Sequence, residues 1–198
     1  IAQWLYVKKV RSIDEMTNLS KSARALLSEK YEVGVTEYTG LQLSSDGTKK
    51  YLFPVSCTHR RGVNLSCSGK IEEADLESSA VEAVMIPDAE RATLCVSSQA
   101  GCRMGCKFCM TGRQGFHGHL SAADIISQFI AVDESDRLTN TVFMGMGEPL
   151  DNYENVMRAI EILTADWGFA WSPKRITLST IGVLPNLRRY LDDCRCHL

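Results

Sequence analysis

Three thiols fall within eight residues, at Cys102, Cys106 and Cys109, and they are the side chains of this chain best suited to chemistry. Their C-x3-C-x2-C spacing is too tight for a framework of separate disulfides, but it sets soft sulfur ligands on one loop. Such a loop could fold around one iron–sulfur cluster. It could instead supply three sulfurs of a zinc site that Cys194 and Cys196 would complete, or Cys106 and Cys109 could act as a redox pair. With three local ligands, one iron of a four-iron cluster would stay open to a substrate.

The elements that must position this loop read as alternating strands and helices. Leu94 to Val96, Thr141 to Met144 and Ile176 to Leu178 are short apolar or β-branched runs. Between the first two, Ser121 and Asp124 cap a helix that carries Ile125, Ile126, Phe129 and Ile130 on one face. Val156, Met157, Ile160 and Leu163 stripe a second helix, and Pro185 starts a third with Leu187, Tyr190 and Leu191. Strand–helix units in series predict a parallel sheet, whose ligands sit at the carboxyl ends of the strands. The three cysteines follow the first of these strands, at that end. The second strand ends in Met144-Gly-Met-Gly-Glu148-Pro149, where glycines allow close backbone approach and a carboxylate can meet an ammonium group. Taken alone this is an ordinary turn signal.

Upstream, residues 1–40 read as a small helical domain, with capping-box spacing at Ser12 and Glu15 and a helical period through Leu19, Ala23, Leu26 and Leu27. Residues 41–90 read as a β-rich connection in which Lys50 to Val55 and Val81 to Ile86 flank a long polar loop, Ser56 to Ser79, carrying Cys57 and Cys67. Residues 91–198 hold the strand–helix units. Composition is that of an ordinary globular protein, 44% hydrophobic and 23% charged. The net charge of -2 gives no global basic footprint, so nucleic-acid contacts would rest on local groups such as Arg103, Lys107, Arg113 and Lys174-Arg175. No apolar run approaches the roughly 18 residues of a membrane span and no leader is recognisable, which predicts a soluble cytoplasmic protein without a membrane partner. Ile1 begins inside an apolar, helix-like run and the chain stops soon after Cys196, so both ends read as cut.

The cysteine spacing, with Phe108 before the last thiol and Gly-Met-Gly-Glu-Pro one unit later, resembles the radical S-adenosylmethionine (SAM) superfamily. Val81-Glu82, Ile86-Pro87, Arg91-Ala-Thr-Leu-Cys95-Val-Ser-Ser-Gln99, Gln114-Gly-Phe116 and Thr177-Leu-Ser179-Thr narrow the likeness to the RlmN/Cfr family of RNA methyltransferases. Asp14-Glu-Met-Thr-Asn-Leu-Ser20 resembles that family's accessory domain. The resemblance implies an α/β fold: an incomplete radical-SAM (βα) barrel with parallel strands, preceded by the small helical domain and a β-hairpin linker.

It also implies that Cys102, Cys106 and Cys109 hold a [4Fe-4S] cluster and that Gly147, Glu148 and Ser179 contact S-adenosyl-L-methionine. The implied reaction methylates carbon 2 of an adenosine in 23S rRNA, with tRNA as a second candidate substrate, using an electron donor such as flavodoxin. In the family a methyl group rides on a protein cysteine and adds to the ring; Cys95 matches the cysteine that resolves the adduct by forming a disulfide, and Glu82 the proton acceptor. The plain alternatives are a buried strand thiol for Cys95 and a solvated glutamate for Glu82. The family's methyl-carrying cysteine lies beyond Leu198, and Cys194 and Cys196 do not match it, so these 198 residues alone are expected not to turn over. A zinc-stabilised nucleic-acid-binding module and a radical SAM enzyme with another substrate are the competing functions. His59, His117, His119 and His197 share no ligand spacing and are expected at the surface or facing RNA.

Overall fold

The structure is a computed structural model that describes residues 1–55 and 79–198. The polar loop with Cys57, His59 and Cys67 lies outside these residues. Six strands form one mixed sheet in the order β1-β2-β3-β4-β7-β8. β1 (Gly40–Leu43), β2 (Lys49–Val55), β3 (Ser79–Asp88) and β4 (Arg91–Cys95) are joined antiparallel, so the connecting region continues directly into the strand that leads to the cysteines. β4, β7 (Asn140–Phe143) and β8 (Ile176–Leu178) are parallel, as the strand–helix alternation predicts. A second sheet, absent from the sequence reading, pairs β5 (Gln99–Gly101) with β6 (Phe116–His119) at the base of the cysteine loop.

Along β2, β4, β7 and β8 buried positions alternate with more exposed ones. Ala92, Leu94 and Val96 point to one face with Val81, Ala83 and Met85, and all are buried. Against that face pack α3 (Ala122–Ala131) and α4 (Tyr153–Thr164) through Ile125, Phe129, Val156, Ile160 and Leu163. Each such side chain contributes about 1.5–3 kcal/mol by leaving water. Ser121 caps α3 as expected: its hydroxyl accepts the Asp124 N–H at 3.1 Å, and the Asp124 carboxylate accepts the Ser121 N–H at 2.9 Å. α5 (Leu184–Asp193) starts with Pro185 in its first turn. Trp171 joins this core edge-on to Phe129, with ring centres 5.9 Å apart.

The first forty residues carry a π-helical turn (Gln3–Val7), a 3-10 turn (Ile13–Glu15) and α1 (Lys21–Ser28) around a minor core of Val10, Ile13 and Met16. Leu26, placed in the helical stripe by its spacing, is instead exposed, because the eight-residue α1 turns Leu27 inward. Among the described residues no helix is long and apolar enough to cross a membrane.

Candidate active site

The turn after β4 fixes everything that follows. Every polar group of Ser97 is engaged. Its N–H donates to Gln128 Oε1 at 2.9 Å, its carbonyl accepts from Gln128 Nε2 at 3.0 Å, and its hydroxyl donates to the Glu82 carbonyl at 2.6 Å while accepting the Met146 N–H at 2.8 Å. Asn152 adds a bond from Nδ2 to the Ser98 carbonyl at 2.8 Å. Strand β3, the exits of β4 and β7, α3 and the turn ahead of α4 thus converge on two residues, Ser97 and Ser98, and buried polar groups so satisfied are held rigidly.

From this turn β5 leads into the cysteine loop. Gly101 has φ +69°, and a side chain there would lie 1.9 Å from the Gly115 carbonyl oxygen. That contact lets the Cys102 N–H donate to the same oxygen at 2.8 Å, which closes the loop at its base. Farther out, the Cys109 N–H donates to the Cys106 carbonyl at 3.0 Å, and Cys109 caps the short α2 (Met110–Arg113). N–H groups of Gly112 and Thr111 hold the Cys109 thiol below its ordinary pKa. Burial pushes Cys102 up, with the negative charges of Cys106, Cys109 and Glu148 adding to the rise.

The donor chemistry fits an iron–sulfur cluster: three thiols on one loop, near enough to feel each other's charge and that of Glu148. They are not drawn to a common centre. Among the described residues no three His, Cys, Asp or Glu side chains form a ready metal-binding group.

The Gly145-to-Glu148 segment packs on the Ser97 turn. Gly147 has φ +97°, and a side chain there would meet Gln99 Cβ at 2.4 Å, so its close approach is to protein. Gln99, fully buried, accepts the Glu148 N–H through Oε1 at 2.8 Å, and its amide donates to Asp151 at 2.7 Å. The Glu148 side chain is only 4% exposed. It accepts the Leu150 N–H at 2.9 Å, the Thr180 hydroxyl, and the Ile181 N–H at 3.0 Å. A carboxylate so occupied ties the exit of β7 to the exit of β8. Ser179, the residue after β8, is exposed beside this tie.

Cys95 and Glu82 lie on the sheet face opposite α3 and α4. Register places Val84, Cys95, Val142 and Thr177 in one row, with Glu82 beside Ser97 at the carboxyl end of β4. Burial raises the Cys95 pKa. The Glu82 carboxylate is paired with Lys50 at 3.1 Å on the neighbouring strand.

Gln99 and Asp151 carry the geometry of this site, and sequence reasoning assigned neither a role. The signal the sequence offers is an amide, Gln99, just ahead of Gly101. Arg103, considered for nucleic-acid contact, is half-exposed and held in place by the fold: it pairs with Asp151 at 2.9 Å, lies 4.1 Å from the Phe116 ring centre and contacts His119 at 3.2 Å. His119, expected at the surface or facing RNA, is half-buried between Arg103 and Gln99, because β6 turns it back onto the base of the loop.

Comparison with known proteins accords with this arrangement. The pattern described as "Radical SAM superfamily" matches residues 96–195, and that of the "Ribosomal RNA large subunit methyltransferase N-terminal domain" matches residues 1–33. Two relatives named "Probable dual-specificity RNA methyltransferase RlmN" align over the whole chain. That of Bacteroides thetaiotaomicron is 53% identical and that of Porphyromonas gingivalis strain W83 is 50% identical; the chain covers 52% of each. It thus spans about half the length of these curated relatives. A radical SAM methyltransferase from Sphaerobacter thermophilus superposes with a TM-score of 0.79 at 32% identity, over 98% of this chain and 53% of that one. A cysteine loop hung from the carboxyl end of a parallel strand, in a segment whose family match covers half of the sequence, places the chain in the radical SAM superfamily.

Proposed function

We propose that this chain houses the cluster and the S-adenosylmethionine site of an RNA methyltransferase acting on carbon 2 of an adenosine in 23S rRNA, with tRNA as a second substrate. The observation that carries the reading is the shared location of two sets of groups. Cys95 and Glu82 occupy the open sheet face at the strand ends from which the Cys102, Cys106 and Cys109 loop springs. The relatives' printed name supplies the substrate class.

Adenine carbon 2 is electron-poor and lacks a lone pair, so it cannot attack a sulfonium methyl group as an ordinary nucleophile. A [4Fe-4S] cluster with bound SAM supplies radical chemistry that removes this obstacle. Cys102, Cys106 and Cys109 would hold the cluster, with Gly147, Glu148 and Ser179 shaping the wall for SAM. The Glu148 carboxylate acts first on the protein, fixing the β7 and β8 exits; a ligand ammonium would share it with Thr180 and Ile181. Burial keeps Cys95 a protonated thiol until the step that needs it, disulfide formation to release the product. Glu82 would take the proton from the adenine ring after exchanging its Lys50 partner for substrate. The electron comes from a donor of the flavodoxin class, and the cytoplasm, where rRNA and tRNA reside, is the compartment.

The test is deletion of the gene that encodes this sequence, followed by nucleoside mass spectrometry of 23S rRNA and tRNA separately. Loss of 2-methyladenosine from 23S rRNA is expected, and restoring the gene with Cys95→Ala should leave RNA covalently attached to protein. Unchanged 2-methyladenosine in both RNAs would overturn the proposal.

A further inference from the structure

The two arms of the cysteine loop are held by different means. The first is tied to the frame: the Cys102 N–H donates to the Gly115 carbonyl, and the next residue, Arg103, turns back onto three neighbours. Arg103 Nε lies 2.9 Å from Asp151 Oδ2, its Nη2 lies 3.2 Å from His119 Nε2, and its guanidinium carbon sits 4.1 Å from the Phe116 ring centre. The same Asp151 oxygen accepts from Gln99 Nε2 at 2.7 Å, and Gln99 Oε1 accepts the Glu148 N–H at 2.8 Å. An unbroken line of polar contacts therefore runs from the residue beside Cys102 to the Gly-Met-Gly-Glu-Pro segment. The bonds that shape the second arm are local: the Cys109 N–H donates to the Cys106 carbonyl at 3.0 Å, and Arg113 Nη2 to the Lys107 carbonyl at 3.1 Å.

We propose that Arg103 is a positioning residue that fixes Cys102 against the Glu148 segment before any iron is bound, so that a cluster closes onto one preset thiol and one movable pair. The inference rests on the reading of the three cysteines as cluster ligands, and adds which of them is set first and by what. An ion pair at the surface contributes little by itself. Here the Asp151 side chain is only 18% exposed, and its oxygen is already fixed by the fully buried Gln99. The flat guanidinium also lies against Phe116, which limits its rotation as an ammonium on a flexible stem would not be limited. Groups placed behind a metal ligand act by aiming it, and Arg103 aims the thiol next to it in the chain.

The experiment follows alkylation of each cysteine by iodoacetamide, mapped by mass spectrometry, in the reduced, metal-free 198-residue chain. Arg103→Met is expected to speed modification of Cys102 about fivefold, while Cys109 changes by less than about twofold. The direction discriminates, because removing a positive charge beside a thiol disfavours its thiolate and by itself slows the reaction. Cys95, within β4, reports whether the sheet stays folded. After anaerobic reconstitution, Arg103→Met should also release iron to a chelator roughly tenfold faster than the parent. A Cys102 rate unchanged or lowered by Arg103→Met, a rise shared by Cys109 and Cys95, or unchanged iron release would overturn the proposal. A parent chain that takes up no iron would refute the cluster reading instead, and the rates in the metal-free chain would still decide whether Arg103 holds Cys102.

Discussion

The Ser97 turn with its Gly147–Glu148 partner and the cysteine loop are neighbours built on opposite plans. In the turn, Ser97 makes four hydrogen bonds, and Gln99 and Glu148 are buried and paired on every side the fold presents. In the loop, Phe108 is 90% exposed, Met110 is 66% exposed, and the thiols influence each other without converging. The frame is complete from protein alone. The ligand loop is anchored at its base and leaves its final order to what it binds, as expected where metal binding and local folding are coupled.

The largest effects should come from crossing the two plans. Gly147→Ala adds a left-handed backbone penalty to a clash with Gln99, and should destabilise the chain by roughly 2–5 kcal/mol. Phe108→Ala should change stability by less than about 0.5 kcal/mol. Urea denaturation of the metal-free chain measures both, and equal losses would break the comparison. Iron retained after anaerobic reconstitution should rank the other way for the ligands: Cys106→Ser should lose it while leaving the urea midpoint nearly unmoved.

Glu148→Gln tests the frame more gently. The substitution keeps one oxygen acceptor but turns an NH2 group toward an N–H or hydroxyl that previously had a carboxylate oxygen. Leaving one buried donor unmatched costs about 1–3 kcal/mol. The loss should appear as a lower urea midpoint with an unchanged slope. An unchanged midpoint would show that the tie between the β7 and β8 exits is not what holds them.

The same contrast explains what the sequence disclosed. Strands and helices on the covered face were legible because Leu94, Phe129, Ile160 and Leu163 recur with the periods that burial demands. The capping box at Ser121 was legible because it is local. The β5–β6 pairing was not: it rests on a long-range contact between Gly101 and Gly115 that neither residue announces. The cysteine spacing declared a ligand set, yet the groups that aim it, Gln99 with Asp151 and Arg103, are ordinary polar residues until the fold joins them. Glycines near Glu148 read as room for a ligand, whereas the nearest neighbour of Gly147 is Gln99.

A second carboxylate sharpens the comparison with the smallest expected effect. Glu148 is held by uncharged donors in the interior, while Asp133 sits half-exposed and is held chiefly by Lys49 at 2.8 Å, with the Tyr38 hydroxyl at 3.0 Å. Hydrogen bonding to Lys49 is the first cause that keeps the Asp133 pKa below the usual carboxylate range. A lowered folded pKa means that the stabilisation is present above the unfolded value, about 4, and is lost as pH falls through the folded one. Lys49 stays charged throughout that window, its own pKa being raised by hydrogen bonds to Asp133 and, at 2.6 Å, Glu134, so the acid loss belongs to its carboxylate partners. Lys49→Met should therefore lower the urea midpoint slightly at pH near 6 and flatten its decline between about pH 4 and pH 2. Added salt should mimic part of the change at this surface pair but not the effect of Glu148→Gln, whose donors carry no net charge. An acid decline as steep in Lys49→Met as in the parent would mean that the ammonium does not set the Asp133 titration, and that surface and interior carboxylates in this fold are held by the same uncharged means.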